Sequence, residues 1–212
     1  MTTRIIVADD HPLFRDAISQ LLQRTLPDIT IDQVESLGAL SQRLQQSPLP
    51  SLVLLDLKLD DTQGMDGLLL LKKQYPSLPV LIISAFDDSH VIRMAMQYGS
   101  SGFVSKGQDM ERMAEAIHAV LDGDIWFPDL GETEQSEYST HAGIDALTPS
   151  QLRVLTLLRE GMPYNEMAAT MSVTEATIKA HLTEIFRKLG VRNRTQAVLA
   201  TKDLDLPQPD LL

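Results

Sequence analysis

Three aspartates of this 212-residue chain stand directly after or at the end of short apolar runs that predict buried strands. Asp9 and Asp10 follow RIIVA, and Asp56 ends SLVLLD. If the strands are parallel, their carboxyl ends share one edge of a sheet and the three carboxylates meet there. Crowded carboxylates repel one another unless a cation is present, and a partly hydrated set of oxygens suits Mg2+. The alternative is that Asp9 and Asp10 only cap the helix beginning near Pro12.

A hydroxyl and an ammonium are predicted at the same edge. Ser84 ends the fourth apolar run and Lys106 follows the fifth. A carboxylate, a divalent metal, a hydroxyl and a cation suit phosphoryl transfer, in which catalysis is mostly positioning and charge neutralisation. In this interpretation Asp56 is the nucleophile and forms an acyl phosphate. Taken singly, Ser84 is no more than a strand end and Lys106 no more than a solvated charge.

The elements that must position these side chains are five β-rich runs, RIIVA, ITIDQV, SLVLLD, PVLIIS and SGFVS, which alternate with segments of helical period. Near-continuous Val, Ile and Leu indicate strands buried on both faces, as in a parallel sheet covered by helices. We therefore predict an α/β fold, a (βα)5 doubly wound parallel sheet, over residues 1–124. The loops at the carboxyl ends of its strands form the predicted site.

The rest of the chain has a different pattern. Residues 125–144 have the Gly, Glu, Ser and Thr composition of a linker. Only helical patterns follow, over residues 148–160, 164–170, 174–189 and 193–203, which predicts a small all-α four-helix domain over residues 145–204 and a tail over 205–212. Thr148, Pro149 and Gln151 form a predicted capping box, and Ser172 and Thr174 are both candidate caps for the third helix.

Composition and charge limit the class of protein. Zero cysteines exclude disulfides, cysteine-ligated zinc and thiol catalysis, and no apolar run approaches the roughly 18 residues of a membrane span. The amino terminus lacks the features of a secretory signal, so we expect a cytoplasmic protein. The formal net charge is -11, but residues 1–124 carry 10 basic and 17 acidic side chains whereas residues 145–202 carry 8 basic and 5 acidic ones. The basic excess of the second domain favours a polyanionic partner there.

Two sets of motifs resemble known families. The strings ADDHPLFR, LLDLKL, IISA and GSSGFVSK resemble the receiver domain of bacterial response regulators. LTPSQLRVL and TEATIKAHLTEIFRKLGVRNRTQAV resemble the LuxR-type helix-turn-helix of the NarL/LuxR class. The resemblance implies a two-component transcriptional response regulator that a sensor histidine kinase switches by Mg2+-dependent phosphorylation. It implies no enzymatic activity beyond the receiver's own phosphorylation and dephosphorylation.

The resemblance also assigns roles in the first domain. Asp56 is the implied phosphoacceptor, and the phosphorylated state is read by Ser84, Lys106 and Phe103. The implied Mg2+ ligands are Asp9, Asp10, Asp56 and the main-chain carbonyl of Lys58. This sequence departs from the family at Asp60, where proline is usual, and we expect Asp60 and Asp61 to add negative charge near the site.

In the second domain the helix predicted over residues 174–189 corresponds to the recognition helix, which lies in the major groove. The resemblance places base contacts to double-stranded DNA at Lys179, Ala180 and Thr183, which are expected to face outward from this helix. Basic residues near the end of that helix can neutralise phosphates, although in isolation a solvated helix end stabilised by the helix dipole explains them better. The predicted phosphate contacts are Thr177, Arg187, Lys188, Arg192 and Arg194. An active homodimer on paired half-sites is expected.

Two functions from other classes stay open at this point. One is a phosphorylation-independent DNA-binding regulator with a degenerate receiver, which Asp60 favours. The other is a Mg2+-dependent phosphohydrolase, which leaves the helix-turn-helix unexplained. His11 and His118 are not predicted to be catalytic.

Overall fold

The computed structural model describes residues 3–26, 28–46, 48–62, 64–85, 87–130, 143–144 and 146–202. The chain forms two compact units, of which one runs to Leu121 and includes Trp126–Pro128. The other comprises Asp122–Ile125 and the chain from Asp129 onward. The predicted tail and most of the predicted linker, residues 131–142, lie outside the described residues.

The first unit contains a parallel five-stranded sheet with the strand order β2-β1-β3-β4-β5. The strands are β1 (Thr3–Ala8), β2 (Ile29–Val34), β3 (Leu52–Leu55), β4 (Val80–Ser84) and β5 (Gly102–Ser105). Every residue of β3 and β4 is buried, because both strands lie inside the sheet and their faces are covered by helices. The predicted α/β class with a (βα)5 parallel sheet is confirmed.

Five helices alternate with these strands. They are α1 (Pro12–Thr25), α2 (Leu37–Leu44), α3 (Asp66–Gln74), α4 (Ser89–Gln97) and α5 (Met110–Leu121). Ile18 of α1 and Ile117 of α5 are buried in one core cluster with Ile5 and Val7 of β1. The register of β1 and β3 aligns the carboxyl ends of these two strands, because Ala8 pairs with Leu55. The residues that follow this pair, Asp9 and Asp56, therefore leave the sheet side by side.

The second unit is helical, as predicted. Its helices are α6 (Pro149–Arg159), α7 (Tyr164–Met171), α8 (Glu175–Leu189) and α9 (Arg194–Thr201). The predicted capping box at Thr148 and Gln151 is present on α6. Thr174 caps α8 through its hydroxyl, whereas Ser172 ends α7 in the left-handed region with φ of 54°. The core includes Phe186, which is fully buried.

Among the described residues, no helix combines the length and the apolar character needed to cross a membrane.

Candidate functional site

The carboxyl edge of the sheet brings together side chains that are far apart in the chain. Asp56 continues the β1–β3 pairing, since its amide donates to the Ala8 carbonyl at 2.9 Å. Lys106 continues the β4–β5 pairing, with its amide donating to the Ser84 carbonyl at 2.8 Å. Parallel strands with aligned ends thus deliver a carboxylate, a hydroxyl and an ammonium to one edge. The sequence-based prediction of this edge agrees with the geometry.

Lys106 is the central cation of this edge. Its Nζ lies 2.6 Å from Asp9 Oδ2 and 2.6 Å from Asp56 Oδ2. The two aspartates are only 2% and 3% exposed. The ammonium also lies 4.8 Å from the centroid of the Phe14 ring, within cation–π distance. The ammonium thus holds two buried carboxylates that would otherwise repel each other.

The buried charges shift one another's protonation. Burial raises the pKa of Asp56 and the charge of Asp9 adds to that effect, while hydrogen bonds from Lys106 and from the Lys58 amide oppose it. Burial by itself would lower the pKa of Lys106, but its hydrogen bonds to Asp56 and Asp9 outweigh burial and raise that pKa. One ammonium therefore leaves the pair of carboxylates short of positive charge, which favours a second cation.

The donor set at this edge fits a divalent metal. Asp9, Asp10, His11 and Asp56 each offer one ligand atom, and these atoms all lie within 4.8 Å of one another. Opposite ligands of an octahedral Mg2+ with bonds of about 2.1 Å are about 4.2 Å apart, so side-chain shifts of a few tenths of an ångström would let one ion reach this set. Asp10 Oδ1 is shielded from solvent, and the exposed imidazole of His11 lies within hydrogen-bond distance of it. A bound cation would give that oxygen a second partner.

The histidine of this cluster is the residue that sequence reasoning missed. His11 Nδ1 lies 2.5 Å from Asp10 Oδ1 and 3.3 Å from Asp9 Oδ1. Its position next to the two aspartates was the only sequence signal, and adjacency alone does not say where a side chain points. The structure therefore adds an imidazole nitrogen to a set that the sequence predicted to contain oxygens only.

The residues predicted to read the phosphorylated state lie on β4 and on or directly after β5. Ser84 ends β4 and is fully buried. Phe103, in β5, is 1% exposed, and its amide donates to the Trp126 carbonyl at 2.7 Å. Phe103 therefore already lies in the interior in this structure. Their sensing roles stay predictions.

The loop after β3 was predicted to add the negative charges of Asp60 and Asp61 near the site, but Asp61 is engaged elsewhere. Asp61 directs its carboxylate to the start of α2, where it accepts hydrogen bonds from the amides of Leu37 at 2.8 Å and Gly38 at 2.9 Å. Free amides at a helix start attract a carboxylate. Burial would raise the pKa of Asp61, but the two amide hydrogen bonds outweigh it and lower the pKa. Asp60 is exposed. Asp61 therefore anchors the loop to α2.

The recognition helix corresponds to α8, and one of its three predicted base-contacting residues does not face outward. Thr183 is only 8% exposed, and its hydroxyl donates to the Lys179 carbonyl at 3.1 Å. A threonine within a helix commonly makes this bond to the preceding turn. Lys179 lies 3.4 Å from Glu175 Oε1, and Ala180 is half-buried. Their roles in base reading stay predictions.

The predicted phosphate contacts divide into two groups by their present partners. Lys188 Nζ donates to the Ala146 carbonyl at 2.8 Å and to Gln151 Oε1 at 2.7 Å. The Arg194 guanidinium donates to the Met162 carbonyl at 3.2 Å, so both cations stabilise the fold.

The remaining members lie at the surface. Arg187 is exposed and pairs with Glu184 at 2.8 Å. Arg192 is exposed and lies 3.6 Å from Asp129. The Thr177 hydroxyl lies 2.8 Å from that of Thr174. Ion pairs at exposed positions are weak, so these side chains can exchange partners at little cost.

Comparison with known proteins gives matches over both units. Residues 5–118 match the model of the response regulator receiver domain, and residues 145–201 match that of bacterial regulatory proteins of the luxR family. The chain is 38% identical to the glycerol metabolism activator of Pseudomonas putida, over 95% of this chain and 96% of that protein.

Two further proteins are similar to this chain over more than half of its length. The nitrate/nitrite response regulator protein NarL of Escherichia coli K12 is 26% identical, over 92% of this chain and 93% of that protein. The crystal structure of a LuxR family DNA-binding response regulator from Silicibacter pomeroyi superposes with a TM-score of 0.53 at 28% identity. That match covers 60% of this chain and 98% of the other.

Proposed function

Because this chain belongs to the response regulators that join a receiver domain to a LuxR-type DNA-binding domain, we propose that phosphorylation of Asp56 controls its binding to DNA. The family is one of transcription regulators. The observation that best supports the phosphoacceptor assignment is the 2.6 Å contact between Lys106 Nζ and Asp56 Oδ2, beside the carboxylates of Asp9 and Asp10. The contact sets the Asp56 carboxylate beside a fixed cation, which stabilises the ionised form that attacks phosphorus.

The reaction is a phosphoryl transfer from a histidine of a sensor kinase. A carboxylate oxygen of Asp56 attacks the phosphorus, the new P–O bond forms as the P–N bond breaks, and the imidazole leaves with the electron pair. The Lys58 amide, 3.1 Å from Asp56 Oδ1, orients the nucleophile. The Lys106 ammonium is already at the carboxylate and can neutralise charge on the transferred group.

The same edge would hold Mg2+ through Asp9, Asp10, Asp56 and the main-chain carbonyl of Lys58. When bound, the ion neutralises charge on the phosphoryl oxygens and orients them. The protein's own part is to keep these carboxylates converged, which the parallel ends of β1 and β3 do.

The phosphoryl group would act as the switch. It adds a charge of about -2 and strong acceptor oxygens beside Ser84 and Lys106. Lys106 then exchanges its contacts with Asp9 and Asp56 for a phosphoryl oxygen, and the Ser84 hydroxyl turns toward the same group. Both side chains lie at strand ends, so their movement alters the β4–β5 pair and buried Phe103 together. Phosphorylation can change the free-energy difference between the two receiver states by no more than the difference in their affinity for the phosphoryl group.

The DNA-binding unit would place α8 in the major groove, with Lys179 and Ala180 toward the bases. Thr183 would have to give up its bond to the Lys179 carbonyl to take part. We assign phosphate contacts to Thr177, Arg187 and Arg192, and secondary ones to Lys188 and Arg194. A homodimer on two half-sites is the expected active form. Because we propose DNA as its target, we expect the protein to act in the cytoplasm.

The test is incubation of the full-length protein with acetyl phosphate and Mg2+, read by intact mass and by DNA binding on the same sample. We expect wild type and Asp60→Asn to gain one phosphoryl group and Asp56→Asn to gain none. DNA affinity and oligomeric state should change only in the proteins that are labelled. Equal labelling of Asp56→Asn would end the phosphoacceptor assignment, and labelling without any change in DNA binding would end the proposed switch.

A further inference from the structure

His11 occupies the position before α1, where a side chain usually caps the helix, but it does not do so. No hydrogen bond joins its side chain to the first turn of α1, and Pro12 takes the first helical position. The imidazole lies instead against the acidic cluster, with Nδ1 2.5 Å from Asp10 Oδ1. The side chain is 63% exposed, so solvent and ions reach it freely.

The backbone holds His11 in this place from both sides. Its amide donates to Asp9 Oδ1 at 2.8 Å. Its carbonyl accepts hydrogen bonds from the amides of Phe14 and Arg15, each at 3.1 Å. Pro12 restricts the preceding residue to extended conformations, and His11 has φ of -88° and ψ of 106°. Little ordering of the backbone is therefore needed for the imidazole to reach an ion held by Asp9 and Asp10, and Nδ1 would exchange its contact with Asp10 Oδ1 for that ion.

We propose that His11 Nδ1 is a metal ligand in the receiver site, and that the site therefore takes a borderline divalent transition metal, such as Ni2+ or Zn2+, in addition to Mg2+. This inference rests on the proposed metal site at Asp9, Asp10 and Asp56. The four donor atoms lie within 4.8 Å of one another, a spread that small side-chain shifts would bring into one coordination sphere.

The chemistry of the nitrogen donor decides the selectivity. Mg2+ prefers oxygen and keeps several waters, so it gains little from an imidazole that replaces a water. Ni2+, Cu2+ and Zn2+ bind imidazole well. Three carboxylates alone already favour these ions over Mg2+ to some degree. A role for His11 is therefore identified by the part of this preference that is lost when its imidazole ring is removed.

The competing explanation is that a protonated His11 merely pairs with Asp10 and contributes no donor to the ion. In that case removal of the ring changes the affinity for Mg2+ and Ni2+ alike, since only the net charge around the site is altered. A ligand role changes the two affinities differently, which makes the comparison of two metals decisive.

The experiment uses tag-free full-length protein and titration calorimetry with Ni2+ and, separately, with Mg2+. The variants are His11→Asn, His90→Asn as a matched exposed histidine on α4, and Asp10→Asn. Loss of a residue that hydrogen-bonds to a metal ligand costs roughly 10- to 100-fold in metal affinity. We expect His11→Asn to lose at least this much affinity for Ni2+, with its affinity for Mg2+ nearly unchanged. His90→Asn should match wild type, and Asp10→Asn should lose both metals.

A spectroscopic measurement accompanies it. Cu2+ bound to wild type should show nitrogen superhyperfine coupling in its electron paramagnetic resonance spectrum, and this coupling should be absent from His11→Asn and present in His90→Asn. Equal losses of Ni2+ and Mg2+ affinity in His11→Asn, or an unchanged Cu2+ spectrum, would overturn the ligand role while leaving the Mg2+ site intact. Failure of wild type to bind either metal would instead contradict the proposed metal site itself.

Discussion

Lys106 Nζ lies 2.6 Å from Asp56 Oδ2 although the two residues are 50 positions apart in the chain. The contact joins the end of β5 to the end of β3, two strands that are separated by β4 in the sheet. It is also part of a three-membered cluster, because Asp9 Oδ2 lies 2.6 Å from the same ammonium. The folded receiver thus buries two carboxylates beside a single ammonium. This excess of negative charge leads to the following prediction.

The first prediction concerns the stability of this cluster. Lys106→Met leaves two buried carboxylates without their cation, so we expect the free energy of unfolding of the receiver to fall by about 3 kcal/mol in the absence of divalent metal. Saturating Mg2+ should recover much of the loss because it neutralises the same oxygens. Urea unfolding with and without Mg2+ measures both effects. Lys73→Met, at an exposed position of α3, should change stability by less than about 0.5 kcal/mol.

The second prediction concerns the anchor of the loop after β3. Asp61→Ala removes the carboxylate that accepts from Leu37 and Gly38, and loss of a helix cap costs about 1 kcal/mol. Asp60→Ala, at the adjacent exposed position, should have little effect. Chemical unfolding of both variants at neutral pH tests the difference, and equal stabilities would show that the two amide bonds contribute nothing.

The same carboxylate predicts a pH dependence. The pKa of Asp61 is lowered from its ordinary value of 3.8 in the folded protein, so its ionised form is stabilised by folding. The contribution is complete above the ordinary pKa and is lost as the pH falls through the lowered folded pKa. The stability difference between wild type and Asp61→Asn should therefore shrink below about pH 4. A difference that grows on acidification would contradict the lowered pKa.

The third prediction separates two neighbouring cations of α8. Arg187→Ala should weaken binding to all DNA sequences and reduce the slope of affinity against salt concentration by about 1, with stability unchanged, because its side chain is exposed. Lys188→Met should instead lower the unfolding free energy by about 1 kcal/mol, because its ammonium holds the Ala146 carbonyl and Gln151. Salt titrations of DNA binding and thermal unfolding of both variants measure these effects. A loss of stability in Arg187→Ala, or unchanged stability in Lys188→Met, would contradict the assignments.

The fourth prediction compares two positions of the recognition helix. Lys179→Ala should relax base preference at one position of the site by about 1 to 3 kcal/mol. Thr183→Val should change base preference much less, because the hydroxyl of Thr183 is already engaged with the Lys179 carbonyl. Binding to a set of single-base operator variants measures both. A larger loss of discrimination in Thr183→Val would restore this residue to the base-reading set.

The architecture and the edge at which the site lies were predictable from the amino-acid pattern. Near-continuous apolar runs predict buried parallel strands, and the chain direction of such strands places Asp9, Asp56 and Lys106 at one edge whatever the loops do. The capping box at Thr148 was equally predictable, because it depends on residues three positions apart. Local pattern and topology are sufficient wherever the backbone alone decides where a residue goes.

The directions of the polar side chains, in contrast, depend on how the elements pack. Asp61 turns to the amides of α2, Lys188 to the Ala146 carbonyl, and His11 to Asp10 rather than to the helix that it precedes. Periodicity reports which face of an element is apolar, but a charged side chain takes the nearest unsatisfied partner that folding brings within about 3 Å. For Asp61 and Lys188 that partner comes from another part of the chain. Its position exists only once the elements have packed.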